Sequence, residues 1–233
     1  NYFKIIHTDL PDMLSKKAQD FKIEKFIHIS ALGIENAIDS EYALSKLAGE
    51  NKIKNNCDRF VILRPSIVYS VDDNFTTNFM SLMSKLPIIP LYYNGYTKFS
   101  PIHVSNLVNI IYEMIDQKYK NLILECIGPK ELTFKEILQI LLHSINRKRI
   151  LLPLPNPIAK LSAKILQLLP KPLLTEDQLK LLKYHNCKSG KYQNNFDINL
   201  KSNRKFEDEI QKYSYNWRKG GQFSNKNNLE ELK

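Results

Sequence analysis

Three side chains in the first fifty positions have the chemistry to move a proton or grip a sugar hydroxyl: Ser30, Tyr42 and Lys46. Tyr42 and Lys46 stand four apart, so any helix containing them presents both on one face. An ammonium held beside a phenol favours the phenolate, and this pair is expected to lower the tyrosine pKa towards the range where it exchanges protons. Ser30 closes a short apolar run and would set a hydroxyl at the end of a strand. A bare Tyr-x-x-x-Lys occurs on many surface helices, so the surrounding elements must carry the argument.

Those elements can be read from the chain. Lys25–Ser30 is too short for a helix and rich in apolar and β-branched residues, which predicts a buried strand. Ser40 has the chemistry of an N-cap, and 41–54 holds good helix formers throughout. Upstream, Lys4–His7 reads as the tail of a strand or loop, and Thr8 or Asp9 as the cap of a helix running to Phe21 with Pro11 in its first turn. Downstream, Phe60–Leu63 is a second apolar strand. Pro65 cannot donate to a ladder, so that strand stops there and the chain turns across the sheet's carboxyl edge, where open α/β sheets bind ligands. Helix–strand–helix–strand with short turns predicts a parallel α/β sheet.

Further along, 75–85 reads as a helix and Leu86–Leu91, with two prolines, as an extended loop. Residues 98–104 read as a short strand leading to a helix capped by Ser105, and 122–127 as a strand ending at Gly128-Pro129. Thr133-x-x-Glu136 and Thr175-x-x-Gln178 have the form of capping boxes. Residues 151–157 carry prolines at alternating positions and should be extended, after which Asn156 and Pro157 open a helix. Ile158, Leu161, Ile165, Leu168 and Leu169 form an apolar stripe opposite Lys160 and Lys164. Packing onto the protein's own sheet, interfacial contact with a membrane through snorkelling lysines, and docking to a partner subunit are three open readings of this stripe. The chain thus divides into 1–150 and a proline-punctuated, mostly helical 151–233.

Composition narrows the class. With 233 residues, 43% hydrophobic and 25% charged, the chain can bury a sizeable core. Three scattered cysteines and five scattered histidines give neither a disulfide frame nor metal-ligand spacing, so no metal is expected. The net charge is +10, and residues 183–233 hold eleven Lys/Arg against six Asp/Glu. Such a tail suits an anionic membrane surface, an acidic partner or nucleic acid, though AT-rich coding alone also enriches Lys and Asn. A nucleic-acid scaffold is the weakest of these readings, since no stacking-aromatic motif or recognition helix accompanies the charge.

A strand ending in Ser30-Ala31-Leu32-Gly33, a short loop, Tyr42-x-x-Ser45-Lys46-x-x-Gly49-Glu50, and then Leu63-Arg64-Pro65-Ser66-Ile67-Val68-Tyr69 followed by Asp73-x-Phe75 resembles the extended and atypical short-chain dehydrogenase/reductase superfamily. Ser70 stands where that family usually has Gly, and Asn106 where it usually has Asp. The later segments Leu86–Leu91, 151–157, 170–178 and 213–217 narrow the resemblance to the NAD(P)H-binding accessory subunit of respiratory complex I and its bacterial relatives. The match covers about residues 1–185, and the rest only through the Tyr/Trp patch.

The resemblance implies a Rossmann-like doubly wound parallel sheet, truncated at its N-terminus, with a mostly helical C-terminal appendage. It implies NADP(H) or NAD(H), with NADPH favoured, held by Ser30, Ala31, Tyr42, Lys46, Pro65, Ser66, Ile67 and Val68. The expected partners are other complex I subunits, with membrane contact through 157–169. The expected place is the matrix side of the mitochondrial inner membrane or the cytoplasmic face of a bacterial one. A dinucleotide also needs a glycine-rich strand-to-helix turn for its pyrophosphate. The seven glycines, Gly33, Gly49, Gly95, Gly128, Gly190, Gly220 and Gly221, provide none. The resemblance places that turn in a first third of the domain that precedes these residues. The Phe26 strand would then expose a hydrophobic edge at Ile27 and Ile29, an aggregation liability, and the residues given should not bind a dinucleotide tightly alone. Because Ala31 follows Ser30, a productive hydroxyl is in doubt and a structural cofactor with little turnover is the leading reading. The alternative is an active reductase or sugar-nucleotide epimerase/dehydratase. There Tyr42 would be the acid/base, Lys46 would lower its pKa and Ser30 would orient the carbonyl.

Overall fold

The computed structural model describes residues 2–115, 118–167 and 175–223. A helical turn, α1 (Tyr2–Lys4), continues through a π-helical stretch (Ile5–Asp9) into α2 (Leu10–Asp20). The expected strand tail at Lys4–His7 is therefore helix, and Asp9 makes no side-chain cap because the helix does not begin there. Strand β1 (Phe26–Ile29) leads to α3 (Glu41–Asn56), whose N-cap is Ser40, with its hydroxyl accepting from Ala43 N. Then come β2 (Phe60–Pro65), β3 (Val68–Tyr69), α4 (Thr76–Lys85), β4 (Ile88–Leu91), β5 (Lys98–Phe99) and β6 (Ile102–His103). Next are α5 (Val104–Met114), β7 (Leu122–Cys126), β8 (Leu132–Thr133), α6 (Phe134–Ser144) and β9 (Ile150–Pro153). The chain continues through α7 (Asn156–Leu166), α8 (Glu176–Leu181), β10 (Gln193–Asn194) and α9 (Phe206–Gln211), with a 3-10 turn at Ser214–Trp217.

The main sheet is parallel throughout, in the order β1-β2-β7-β10. β2 is central, and Val61, Ile62 and Leu63 are wholly buried because layers cover both faces of a parallel sheet. On one face, α5 contributes Leu107, Ile110 and Met114 at helical spacing against Val61, Leu63 and Leu124. Each such buried side chain contributes about 1.5–3 kcal/mol. On the other, Ile53 of α3 meets Phe60 and Ile62. A second, larger core of aromatic and aliphatic side chains joins α4, α6 and α9, with Phe134, Met80, Met83 and Trp217 at its centre.

Both capping boxes form as read, at Thr133/Glu136 and Thr175/Gln178. The cap of α5 is His103, whose Nδ1 accepts from Ser105 N, in place of the expected Ser105. Leu86–Leu91 and 151–157 are more than extended loops, since β4 and β9 pair in parallel, Ile88 with Ile150 through Leu91 with Pro153. Pro90 and Pro153 are tolerated because a two-stranded ribbon consists of edges only. Helix accounts for less than half of the described residues after 150, in α7, α8, α9 and the 3-10 turn, short of the mostly helical region expected; extended segments join these helices, and one of them supplies β10 to the main sheet. On α7, Ile158 and Leu161 are exposed. Leu168, Leu169 and the side chain of Ile165 lie outside the described residues.

Candidate functional site

β1 and β2 end side by side. Ile29 is in register with Leu63, Ser30 N donates to Leu63 O (2.7 Å), and Leu32 N donates to Pro65 O (2.9 Å). This ladder brings Ser30, Ala31 and Pro65 together at the carboxyl edge of the sheet. Helix α3 runs alongside, and Lys46 Nζ donates to Ile29 O at 3.0 Å. Gly49 allows the close approach of the N-terminal helix, since a Cβ there would overlap the His7 carbonyl oxygen. His7 in turn stands edge-on to Tyr42, ring centres 5.1 Å apart, and bonds Ser45 Oγ through Nδ1 (3.0 Å).

A cavity of about 350 Å³ opens at this edge, lined by Ala31, Tyr42, Pro65, Ser66 and Ile67 of the expected set. Ser30 and Lys46 of that set are not among the residues that line it. Val68 instead pairs with Ile102 and packs against the sheet core. Ser66 has its hydroxyl committed: it donates to the backbone and side-chain oxygens of Asn186 (2.8 and 2.6 Å).

The electrostatics correct one expectation. Burial pushes the Tyr42 phenol above its ordinary value instead of leaving it lowered by Lys46. The ammonium lies 5.9 Å from the phenol ring centre and is bonded to the Ile29 carbonyl, so desolvation of the phenolate dominates. Burial also holds Lys46 below the usual lysine range, with Glu50 opposing it.

Several residues that shape the site were not among the expected site residues. Asp177 of α8 caps α3 from outside, its carboxylate accepting from Ser40 Oγ (2.8 Å), Glu41 N (2.8 Å) and Tyr42 N (3.2 Å). A carboxylate at a helix N-terminus is favourable by about 0.3–1 kcal/mol. Asn186 ties three segments: its Oδ1 accepts from Ile67 N (3.1 Å), its Nδ2 donates to Leu32 O (2.6 Å), and its carbonyl accepts from Ser100 N (3.1 Å). Behind Pro65, Arg64 makes a buried two-pronged pair with Glu50 (2.9 and 2.5 Å). Arg64 also faces Glu35 and lies 4.6 Å from the Tyr192 ring centre. Burial would raise Glu35, but the Tyr192 hydroxyl bond and Arg64 overcome it and hold the carboxyl below its usual value.

These residues fit one half of a dinucleotide site. The Ser30 hydroxyl oxygen is buried and has no hydrogen-bond partner among the described residues, as a group waiting for a ribose or carbonyl oxygen would be. At the other half, β1 has a free edge among the described residues and no glycine-rich turn is present to take a pyrophosphate. No described His, Cys, Asp or Glu cluster could hold a metal ion.

A parallel α/β sheet with a strand-end serine and a Tyr-x-x-x-Lys helix at its carboxyl edge defines a protein of the extended short-chain dehydrogenase/reductase class. More narrowly, the chain belongs to the family described as RmlD substrate binding domain, which matches residues 37–160. It is 26% identical over 168 residues to NADH dehydrogenase (ubiquinone) 1 alpha subcomplex subunit 9, mitochondrial, of Dictyostelium discoideum, covering 70% of this chain and 46% of that protein. It is 23% identical over 180 residues to the NADH-ubiquinone oxidoreductase 40 kDa subunit, mitochondrial, of Neurospora crassa, covering 76% and 47%. The chain thus spans about half the length of the curated relatives it matches. Among solved structures it is similar to DesIV, a dTDP-glucose 4,6-dehydratase from Streptomyces venezuelae with NAD and TYD bound. The TM-score is 0.65 at 17% identity, covering 93% of this chain and 66% of that one.

Proposed function

We propose that this chain forms the nicotinamide side of an NAD(P)-binding accessory subunit of NADH:ubiquinone oxidoreductase that holds its cofactor structurally, with little or no turnover. One observation carries the reading: at the carboxyl edge of the sheet the Ser30 hydroxyl is buried with no partner among the described residues, and Tyr42 lines the adjoining cavity with its phenol pushed up by burial. The named relatives among complex I subunits support the assembly part of the proposal. Solved fold neighbours with NAD or NADP bound support a nicotinamide dinucleotide.

In this reading Tyr42 and Lys46 hold the ribose, Ser30 and Ala31 flank the ring, and Pro65–Val68 form the turn that passes the nicotinamide. NADPH is the proposed form. The proposed partners are complex I subunits on the matrix side of a mitochondrial inner membrane or the cytoplasmic face of a bacterial one, with α7 facing the membrane. No described helix is long and apolar enough to cross a membrane.

A second reading, an NAD(P)-dependent reductase or epimerase/dehydratase, draws on the retained Ser30, Tyr42 and Lys46 and on the fold neighbours. One experiment separates the two. The full-length protein is isolated from native membranes, its bound nucleotide is identified, and carbonyl and nucleotide-sugar substrates are offered to it and to Tyr42→Phe. Retained NADPH, co-purification with the respiratory complex and no turnover are the expected results. Turnover that Tyr42→Phe abolishes would establish the enzyme instead.

A further inference from the structure

Much of the lining of the cavity at Tyr42 is hydrocarbon. Phe75, Phe79 and Leu82 lie at helical spacing along one side of α4 and its approach. Leu181 of α8, Phe99 and Ile34 line it as well. Phe75 and Phe79 meet edge-to-face with ring centres 5.2 Å apart, and Phe75 and Phe99 are 6.2 Å apart, so the wall is a packed aromatic surface. The volume of about 350 Å³ is ordinary for a small-molecule site.

The charge content decides what such a site accepts. Among the described residues no Lys, Arg, Asp or Glu lines the cavity. A sugar nucleotide would bring a pyrophosphate that meets no cation there, and an unpaired charge in a hydrocarbon-walled cavity is strongly disfavoured. The polar groups that do line it are neutral amides, hydroxyls and the exposed His185. Ser66 and Asn186 are already bonded to each other, while Asn74 and Asn78 are exposed at the rim. Gln178 is held in its capping box and the Tyr184 hydroxyl accepts from Lys183, which leaves Tyr42 as the polar group at the sheet edge.

We infer that this cavity binds a neutral molecule with a hydrocarbon chain. Its carbonyl or hydroxyl end meets Tyr42 and its chain lies along Phe75, Phe79 and Leu82. The inference rests on the nicotinamide-side reading only for the placement of the polar end. An acyl lipid or a prenylated quinone supplies this chemistry, and a nucleotide sugar does not.

The test uses the full-length protein with its bound nucleotide, titrated with tridecan-2-one, decylubiquinone and UDP-glucose, and followed by thermal unfolding and native mass spectrometry. A ligand that binds the native state alone raises Tm with concentration. Tridecan-2-one or decylubiquinone is expected to bind and UDP-glucose not. Binding by the ketone alone identifies an acyl lipid, and by the quinone alone a prenyl chain. Phe79→Asp should weaken binding at least tenfold and Phe79→Leu should preserve it. Because Phe79 also packs on Phe134, Leu82→Trp serves as a second variant that fills the cavity without adding charge, with the same tenfold loss expected. Binding of neither chain, binding of UDP-glucose in preference, or chain binding indifferent to both disruptive variants would overturn the inference. Nucleotide content is read from the same samples. Retained NADPH without chain binding sinks this inference alone, and chain binding without retained nucleotide sinks the cofactor reading alone.

Discussion

The two flanks of the parallel sheet are finished in opposite ways. On the β10 flank, the stretch from Asp177 to Asn194 pins the end of every neighbouring element: Asp177 on α3, Asn186 on the loops after β1, β2 and β5, Tyr192 on Glu35, and β10 on β7. On the β1 flank, Ile29, Met13, Leu14, Phe21 and Ile23 are exposed, and His28 Nε2 is buried without a hydrogen-bond partner among the described residues. The cavity walls are therefore tied together by this chain's own hydrogen bonds, while the β1 edge is left unpaired among the described residues. One flank of a sheet can be fully latched while the other is left open, and the latched flank here is the one beside Tyr42.

The largest expected break comes from Arg64. Arg64→Ala strands the fully buried Glu50 carboxylate, and removing one partner of a buried pair typically costs about 3–5 kcal/mol. Urea unfolding would read this as a lower midpoint at unchanged slope. Asn186→Ala loosens the β10 flank by leaving Leu32 O and Ile67 N without their partner, about 2–3 kcal/mol by the same measurement. A drop of under about 0.5 kcal/mol would show that the latch is decorative.

The β1 flank should answer to acid. Burial, with Lys46 beside it, lowers the His28 pKa to about 4. The folded value lies below the unfolded one of about 6.5, so the neutral ring favours the folded state. Stability is full above pH 6.5 and declines as the pH falls towards 4, by on the order of 2 kcal/mol. His28→Leu should flatten unfolding curves taken across that window, and an unchanged slope would refute the assignment. The smallest effect expected is from Asp177→Ala, about 1 kcal/mol through lost capping of α3. It should also lower protection of the Glu41 and Tyr42 amides in hydrogen exchange.

What could be read from the sequence was local. The strand at Phe26, the Ser40 cap, the helix of Tyr42 and Lys46, the strand at Phe60 and both capping boxes depend on residues within a few positions of each other, and all are present. The misses are tertiary. Lys4–His7 looked like a strand tail because β-branched Ile5 and Ile6 favour strands in isolation, whereas packing on α3 makes them helix. Leu86–Leu91 and Ile150–Pro153 pair across some sixty intervening residues, which no local pattern announces. Asp177 and Asn186 sit among ordinary polar residues, and their roles exist only once distant backbone amides point at them. The direction of the Tyr42 shift failed for the same reason. Helical spacing puts Lys46 nearby, but burial depends on His7 and Phe3, which the spacing does not reveal.

Strand β10 has one further consequence, for the order in which the molecule is made. Its residues and the Asn186 latch leave the ribosome after every other strand of the sheet, and a growing chain that has emerged only to residue 170 holds β7 with an unpaired edge and the cavity without its α8 wall. Until residues 176–194 arrive, the backbone edge of β7 stays unpaired and the Phe75 and Phe79 side of the cavity lacks its α8 wall, and an uncovered edge of that kind is where an incompletely made chain associates with its neighbours.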